Sequence, residues 1–159
     1  MDLDQAFLGD EAFFAMVDLG ELPPQSTLER ASGLKSEPGP YATKLIERVE
    51  RAWRTPFREL TCEQVRSLLG QQMGLDWLAE PILEFVERYP ATAITNYPGE
   101  MGLLALRAAE KLFRFAPEKV ITWLRGDFSW MDEAFGSSSG LRREAESALG
   151  TARRIVAAS

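Results

Sequence analysis

The sequence contains no histidine. That absence removes a Ser-His-Asp triad, a Cys-His nucleophile pair, an HExxH zinc site and any imidazole general base. Neither standard spacing of a glycine-rich phosphate loop is present. The single cysteine, Cys62, can form no internal disulfide. No apolar run approaches the ~20 residues that a membrane-spanning helix requires. Paired-carboxylate chemistry survives these exclusions because it needs only Asp and Glu, but acids are so abundant here that their presence decides nothing. The composition argues against an enzyme, and no catalytic residue, metal or cofactor is expected.

Basic residues are also missing from one stretch. Residues 1–28 hold Asp2, Asp4, Asp10, Glu11, Asp18 and Glu21 and no Lys or Arg, whereas the rest of the chain balances 18 acids with 18 bases. The whole net charge of −6 therefore resides in the leading segment. Such a segment repels nucleic acid and anionic membranes and attracts a basic protein. Its acidity is the opposite of what a signal peptide needs. With the lone cysteine, this leads us to expect a bacterial protein working in the cytoplasm.

The 159 residues, 45% hydrophobic and 26% charged, have the composition of one soluble globular domain. Periodicity predicts helix almost throughout. Phe7, Phe14 and Val17 suggest a first helix over residues 5–19, weakened by Gly9 and stopped by ELPPQS. Tyr41, Leu45, Val49 and Trp53 step by four and predict a helix over 40–54, closed by Pro56. Thr61 followed by Gln64 reads as a capping box opening the next helix, with Gly74 as its stop. Pro81 is expected to break or kink the following segment, which runs on to Tyr89. Pro98 and Pro117 are placed to open two more helices, Ser129 to cap a short turn, and GSSSG at 136–140 to act as a flexible connector before a terminal helix. No segment alternates with period two, and no internal repeat appears. The expectation is a single compact all-α domain of six to eight helices over 1–159, with an acidic segment at 1–26, a core at 27–125 and a terminal connector and helix at 136–159.

Within the stretch TCEQVRSLLGQQMGL, Gly70 falls inside the apparent helix and Gln72 lies on its apolar stripe. Glycine there costs about 1 kcal/mol against alanine, so these residues must serve packing or recognition. Packing is the reading we adopt, with Gly70 admitting a neighbouring helix and Arg66 pinning a carboxylate or loop carbonyls. Trp53, Trp77, Trp123 and Trp130 read as packing anchors, because a base-stacking platform would need basic surroundings. Asp132, Glu133, Glu144 and Glu146 read as solvated acids without a visible partner, and Arg142, Arg143, Arg153 and Arg154 as solvated or paired with another segment. The leading segment interleaves acids with aromatics, and Asp10, Glu11, Phe13, Phe14, Asp18 and Glu21 are the candidate contacts for a basic partner.

The run FRELTCEQVRSLLGQQMGL, followed by Pro81 and then NYPGE, resembles a family of contact-dependent growth inhibition immunity proteins. The matching positions are Leu60-Thr61, Arg66, Leu69-Gly70-Gln71, Gly74-Leu75, Pro81 and Tyr97-Pro98-Gly99, and the similarity spans roughly residues 27–107. Glu100 stands where that family usually has aspartate, and Ile94-Thr95 where it commonly has Gly-Asp. The resemblance implies a protein that binds the C-terminal domain of one cognate toxin, expected to be a nuclease with a basic cleft, and blocks it without catalysis. An element shared across a family whose toxins differ should hold the scaffold. Thr61, Arg66, Gly70, Gln71, Gln72, Gly74, Tyr97, Pro98 and Gly99 are therefore assigned to structure. A helical adaptor without a toxin, and a carboxylate-dependent hydrolase, remain as alternatives.

Overall fold

The structure, a computed structural model, describes residues 7–35 and 43–159. Their chain order is α1 (Phe13–Met16), α2 (Leu28–Ser32), α3 (Lys44–Trp53), a short 3-10 helix (Phe57–Glu59), α4 (Cys62–Gly70), α5 (Leu75–Arg88), α6 (Glu100–Arg107), α7 (Ala109–Phe115), α8 (Pro117–Leu124), α9 (Trp130–Phe135) and α10 (Ser139–Ala157). Among the described residues no strand forms, and the two isolated β-bridges join Ala12 to Thr61 and Ala93 to Pro98. The all-α class is as expected; ten α-helices exceed the six to eight anticipated. The excess comes from one-turn pieces such as α2 and from a break at Ala108, which separates α6 from α7. That break lets Leu103 pack with Met131, Phe135 and Ala145 while Leu112 stays in the main core.

Helix α5 is the axis of that core. Leu75, Leu78, Ala79, Ile82, Leu83, Phe85 and Val86 are all buried, so it needs neighbours on most of its circumference. Pro81 does not divide it, contrary to expectation: the helix runs unbroken from Leu75 to Arg88 with the proline inside. The proline removes the α-helical bond to the Trp77 carbonyl, a loss that packing on the buried side offsets. Helix α10 packs through Ala145 and Ala152, small enough for close approach to the helices beneath. The GSSSG stretch is mostly helix entry, since Ser138 Oγ accepts from Leu141 N–H and α10 begins at Ser139. Pro117 opens α8 as its first residue. The start of the helix expected over 40–54 falls partly outside the described residues; its remainder is α3, capped by Thr43.

The glycine-glutamine stretch ends a helix instead of interrupting one. Helix α4 stops at Gly70, Gln71 caps it, and Gln72 adopts φ 54°. Gln72 N–H donates to the Leu69 carbonyl (2.9 Å) and Met73 N–H to the Leu68 carbonyl (2.9 Å). This pair of bonds is the Schellman motif, with a glutamine at the left-handed position where glycine is usual. The Gln72 carbonyl then accepts from Lys111 Nζ at 2.7 Å, which ties the loop to α7. Gly74 is not the stop of α4 but the N-cap of α5, at φ 73°, and a Cβ there would lie 3.1 Å from both Leu28 methyls. Gly70, by contrast, is solvent-exposed and admits no close neighbour: a Cβ would meet only Leu104 at 4.0 Å. The two glycines thus separate by substitution. Gly70→Ala should raise stability by up to about 1 kcal/mol through helix propensity, whereas Gly74→Ala should lower it by about 1 kcal/mol or more through strain and overlap. Urea denaturation of the two variants checks both signs.

Candidate functional site

The first N–H groups of a helix have no partner within it, and in α4 the chain supplies three from outside. Cys62 N–H donates to the Glu11 carbonyl (2.8 Å), Glu63 N–H to the Gly9 carbonyl (3.0 Å) and Gln64 N–H to Thr61 Oγ1 (3.2 Å). The Gln64 side chain returns the bond to Thr61 N–H, completing the expected capping box. Residues 9–12 therefore run as a non-helical strap, with a turn closed by Glu11 N–H on the Leu8 carbonyl (3.0 Å), not as part of the helix expected over 5–19; a helix would consume those carbonyls internally. Only Phe13–Met16 coils. The part of that expected helix at residues 5 and 6 lies outside the described residues, as do Asp2 and Asp4.

The strap reassigns Phe13. Its N–H donates to the Leu60 carbonyl (2.8 Å), its ring stacks on Phe85 at 5.3 Å, and it has no exposed surface. A residue so placed belongs to the core and offers nothing to a partner, against the sequence expectation. Phe14 is half-buried with its ring edge-on to Phe13 at 5.0 Å. Asp10, Glu11, Asp18 and Glu21 are all exposed, but they divide into two groups. Asp10 and Glu11 ride on the strap over α4. There Glu11 adds to burial in pushing the Cys62 thiol up to about 12, burial being the larger cause. Cys62 Sγ lies 3.8 Å from Met16 Sδ.

Asp18 and Glu21 reach a different place. The loop from Asp18 to Pro23 lies along the first half of α5 and the α7–α8 corner, and between them is an open groove of about 510 Å³. Asp76, Glu80 and Glu84 of α5 line its far wall. Five carboxylates thus share one concavity with a single cation, Lys119, whose Nζ is 4.0 Å from Glu80. Leu19, Leu22, Trp77 and Phe115 supply an apolar lining. Two local contacts fix the loop: Asp18 N–H donates to Glu84 Oε2 (3.3 Å), and Asp18 Oδ1 accepts from Gly20 N–H (3.0 Å). The sequence reading missed Asp76, Glu80 and Glu84. Their signal was available as acids every fourth residue, which puts them on one helical face.

The family-like motif leads elsewhere, to a buried carboxylate. The Tyr97-Pro98-Gly99 turn, with Gly99 at φ 82°, places Glu100 as the first residue of α6 with 1% exposure. Its Oε1 accepts from the backbone N–H groups of Ile94 (3.0 Å), Asn96 (2.9 Å) and Thr95, and Oε2 accepts from Asn96 Nδ2 (3.1 Å). Arg66 Nε stands 3.9 Å from Oε2, an ion pair without a hydrogen bond between them. Burial, with Glu100 next in weight, pushes the Tyr97 phenol upward. These residues knit the 94–100 turn to α4, with the Glu100 carboxylate itself withdrawn from solvent.

Several of the other charges singled out are paired. Asp132 and Glu146 flank Arg142, and Glu144 meets Arg107 at 2.5 Å, correcting the expectation that these three acids lack partners. Arg153 donates to the Leu124 carbonyl (3.0 Å) and lies over the Phe128 ring at 5.3 Å. Among the described residues no group of three or more acids or cysteines is arranged to hold a metal ion, and no helix is long and apolar enough to cross a membrane. No protein-family model, curated protein or solved structure matches the chain.

Two outcomes test this geometry. Glu100→Ala should destabilise by about 3–5 kcal/mol, because it leaves Arg66 and three N–H groups unpaired; Glu100→Gln, which keeps an acceptor oxygen, should cost less, as read by denaturant titration. For Cys62 the unfolded thiol ionises near 9.0 and the folded one at about 12. Above pH 9 the unfolded state therefore releases a proton that the native state retains, and stability falls as pH rises across that window. Cys62→Ala should have a shallower decline than the parent between those pH values, measured by thermal melts in parallel.

Proposed function

We propose that this protein is an immunity protein that binds the C-terminal domain of a cognate contact-dependent growth inhibition toxin in the cytoplasm and neutralises it by occlusion. The observation that carries this reading is the division of labour in the chain. The motif that resembles the immunity family is spent on scaffold: a capping box, a Schellman loop and a caged glutamate. The surplus negative charge is left outside that motif and exposed, at Asp10, Glu11, Asp18 and Glu21. A shared frame with a variable, charged exterior is what a set of inhibitors against different toxins requires.

The mechanism is electrostatic capture followed by apolar seating. Carboxylates on the strap and on the groove attract a basic toxin surface and raise the encounter rate. The groove's apolar lining, including Trp77 and Phe115, then slows dissociation. Toxin-bound protein sterically covers the cationic surface that the toxin needs for its own anionic substrate. No covalent step by the immunity protein is involved.

Co-expression with the toxin domain encoded beside this chain should restore growth. Reversing Asp10, Glu11, Asp18 and Glu21 to lysine should abolish the rescue while the variant stays folded by circular dichroism. The association rate of the purified pair should also fall as salt rises past ~0.15 M, where the Debye length is about 8 Å. A salt-independent rate would remove the electrostatic part of the mechanism, and failure of the parent chain to protect would remove the function.

A further inference from the structure

The groove between the 18–23 loop and α5 has more specific chemistry than a negative patch, and the details select an occupant. Its carboxylates come from two walls, Asp18 and Glu21 on one side and Asp76, Glu80 and Glu84 on the other. Some of that charge is already engaged: Glu84 lies 3.3 Å from Arg88, Glu80 faces Lys119 at 4.0 Å, and Asp18 Oδ1 closes its own turn. Glu21 and Asp76, in contrast, have no hydrogen bond or ion pair among the described residues. Between the walls the lining is apolar, with Trp77 and Phe115 as its aromatic members.

An ammonium ion fits this set poorly. It is compact and strongly hydrated, and a half-desolvated aromatic lining strips its water without replacing it. A guanidinium is planar and weakly hydrated, stacks on aromatic rings, and donates in several directions at once, so it can bridge carboxylates on opposite walls. We propose that the groove is a receptor for an arginine side chain with an apolar neighbour, presented by the protein partner. This deepens the immunity reading and rests on it for the identity of that partner: the arginine segment belongs to the toxin domain. The apolar neighbour sits on the Leu19 and Leu22 side, and the guanidinium lies against Trp77 between Glu21 and Asp76, the two unengaged acids.

The test uses the full chain, labelled with nitrogen-15, and a capped Arg-Leu-Arg peptide as the probe at low salt. Addition should shift the Trp77 indole N–H and the backbone signals of residues 18–23 and 76–84, and a capped Lys-Leu-Lys peptide should bind at least about threefold more weakly. Glu21→Gln with Asp76→Asn should weaken the arginine peptide by about tenfold. Glu47→Gln with Glu133→Gln makes the same change in net charge at exposed positions that do not line the groove and should alter it by less than about twofold. Both pairs of substitutions are at exposed positions, and the spectrum itself reports folding. Absence of shifts at the groove, equal weakening by the two double variants, or equal affinity for the lysine peptide would each overturn the proposal. The two readings fail separately. If the Glu21→Gln, Asp76→Asn variant still protects cells and the peptide does not bind, the groove assignment falls and the immunity function stands. If the peptide binds as stated but the parent chain protects no cell, the arginine receptor stands and the immunity function falls.

Discussion

Three unsatisfied N–H groups at the start of α4 set the path of the leading segment. An isolated helix end of this kind must find acceptors or expose itself to water. Here Gly9 and Glu11 provide two carbonyls and Thr61 a hydroxyl, and the consequences run along the chain. Holding residues 9–12 out of a helix delivers Phe13 onto Phe85 at the centre of the core. The chain then turns at Met16 and Val17, so that Asp18 and Glu21 arrive beside α5. The acidic groove is therefore a downstream product of a backbone requirement at residues 62–64, distant in sequence from the 18–23 loop that forms one of its walls.

The second anchor is the Glu100 cage, and it explains why a motif can look functional while its carboxylate is withdrawn from any partner. A buried carboxylate is costly unless its charge is met by several donors. Three backbone N–H groups, one amide and a guanidinium meet it, and the helix N-terminus adds a favourable dipole. Since the donors are mostly backbone, the turn at 94–96 can vary in side chains while the acid persists. That accounts for Ile94-Thr95 at this position: their main-chain atoms do the work. The Schellman loop at 70–73 follows the same logic, since the bonds that stop α4 are all backbone bonds and the glutamine at φ 54° contributes its conformation and its carbonyl.

Much of the fold was legible because it follows from local rules. The Thr61–Gln64 capping box, the start of α8 at Pro117 and the burial of Trp53 and Trp123 are decided by residues close in sequence or by bulk apolarity. Misreadings came where tertiary partners override such rules. Pro81 remains inside α5 because the helix is packed on most sides. Phe13 looked like a surface aromatic among acids, but its place is dictated by Phe85, seventy-two positions away. For the site, Asp18 and Glu21 were identified from charge alone, while Asp76, Glu80 and Glu84 were hidden in an ordinary amphipathic helix whose exposed face has no meaning until its neighbour is known.

By itself the sequence determined the helical class, the exclusion of imidazole chemistry and the concentration of net negative charge in the first 28 residues, because composition and periodicity are properties of the chain that no packing can alter. The tertiary structure decided which of those acids stand together, which aromatic side chains are withdrawn into the core, and that one wall of the groove comes from a distant helix. Those outcomes depend on backbone hydrogen bonds and contacts between segments far apart in sequence, which leave no periodic trace in either segment alone.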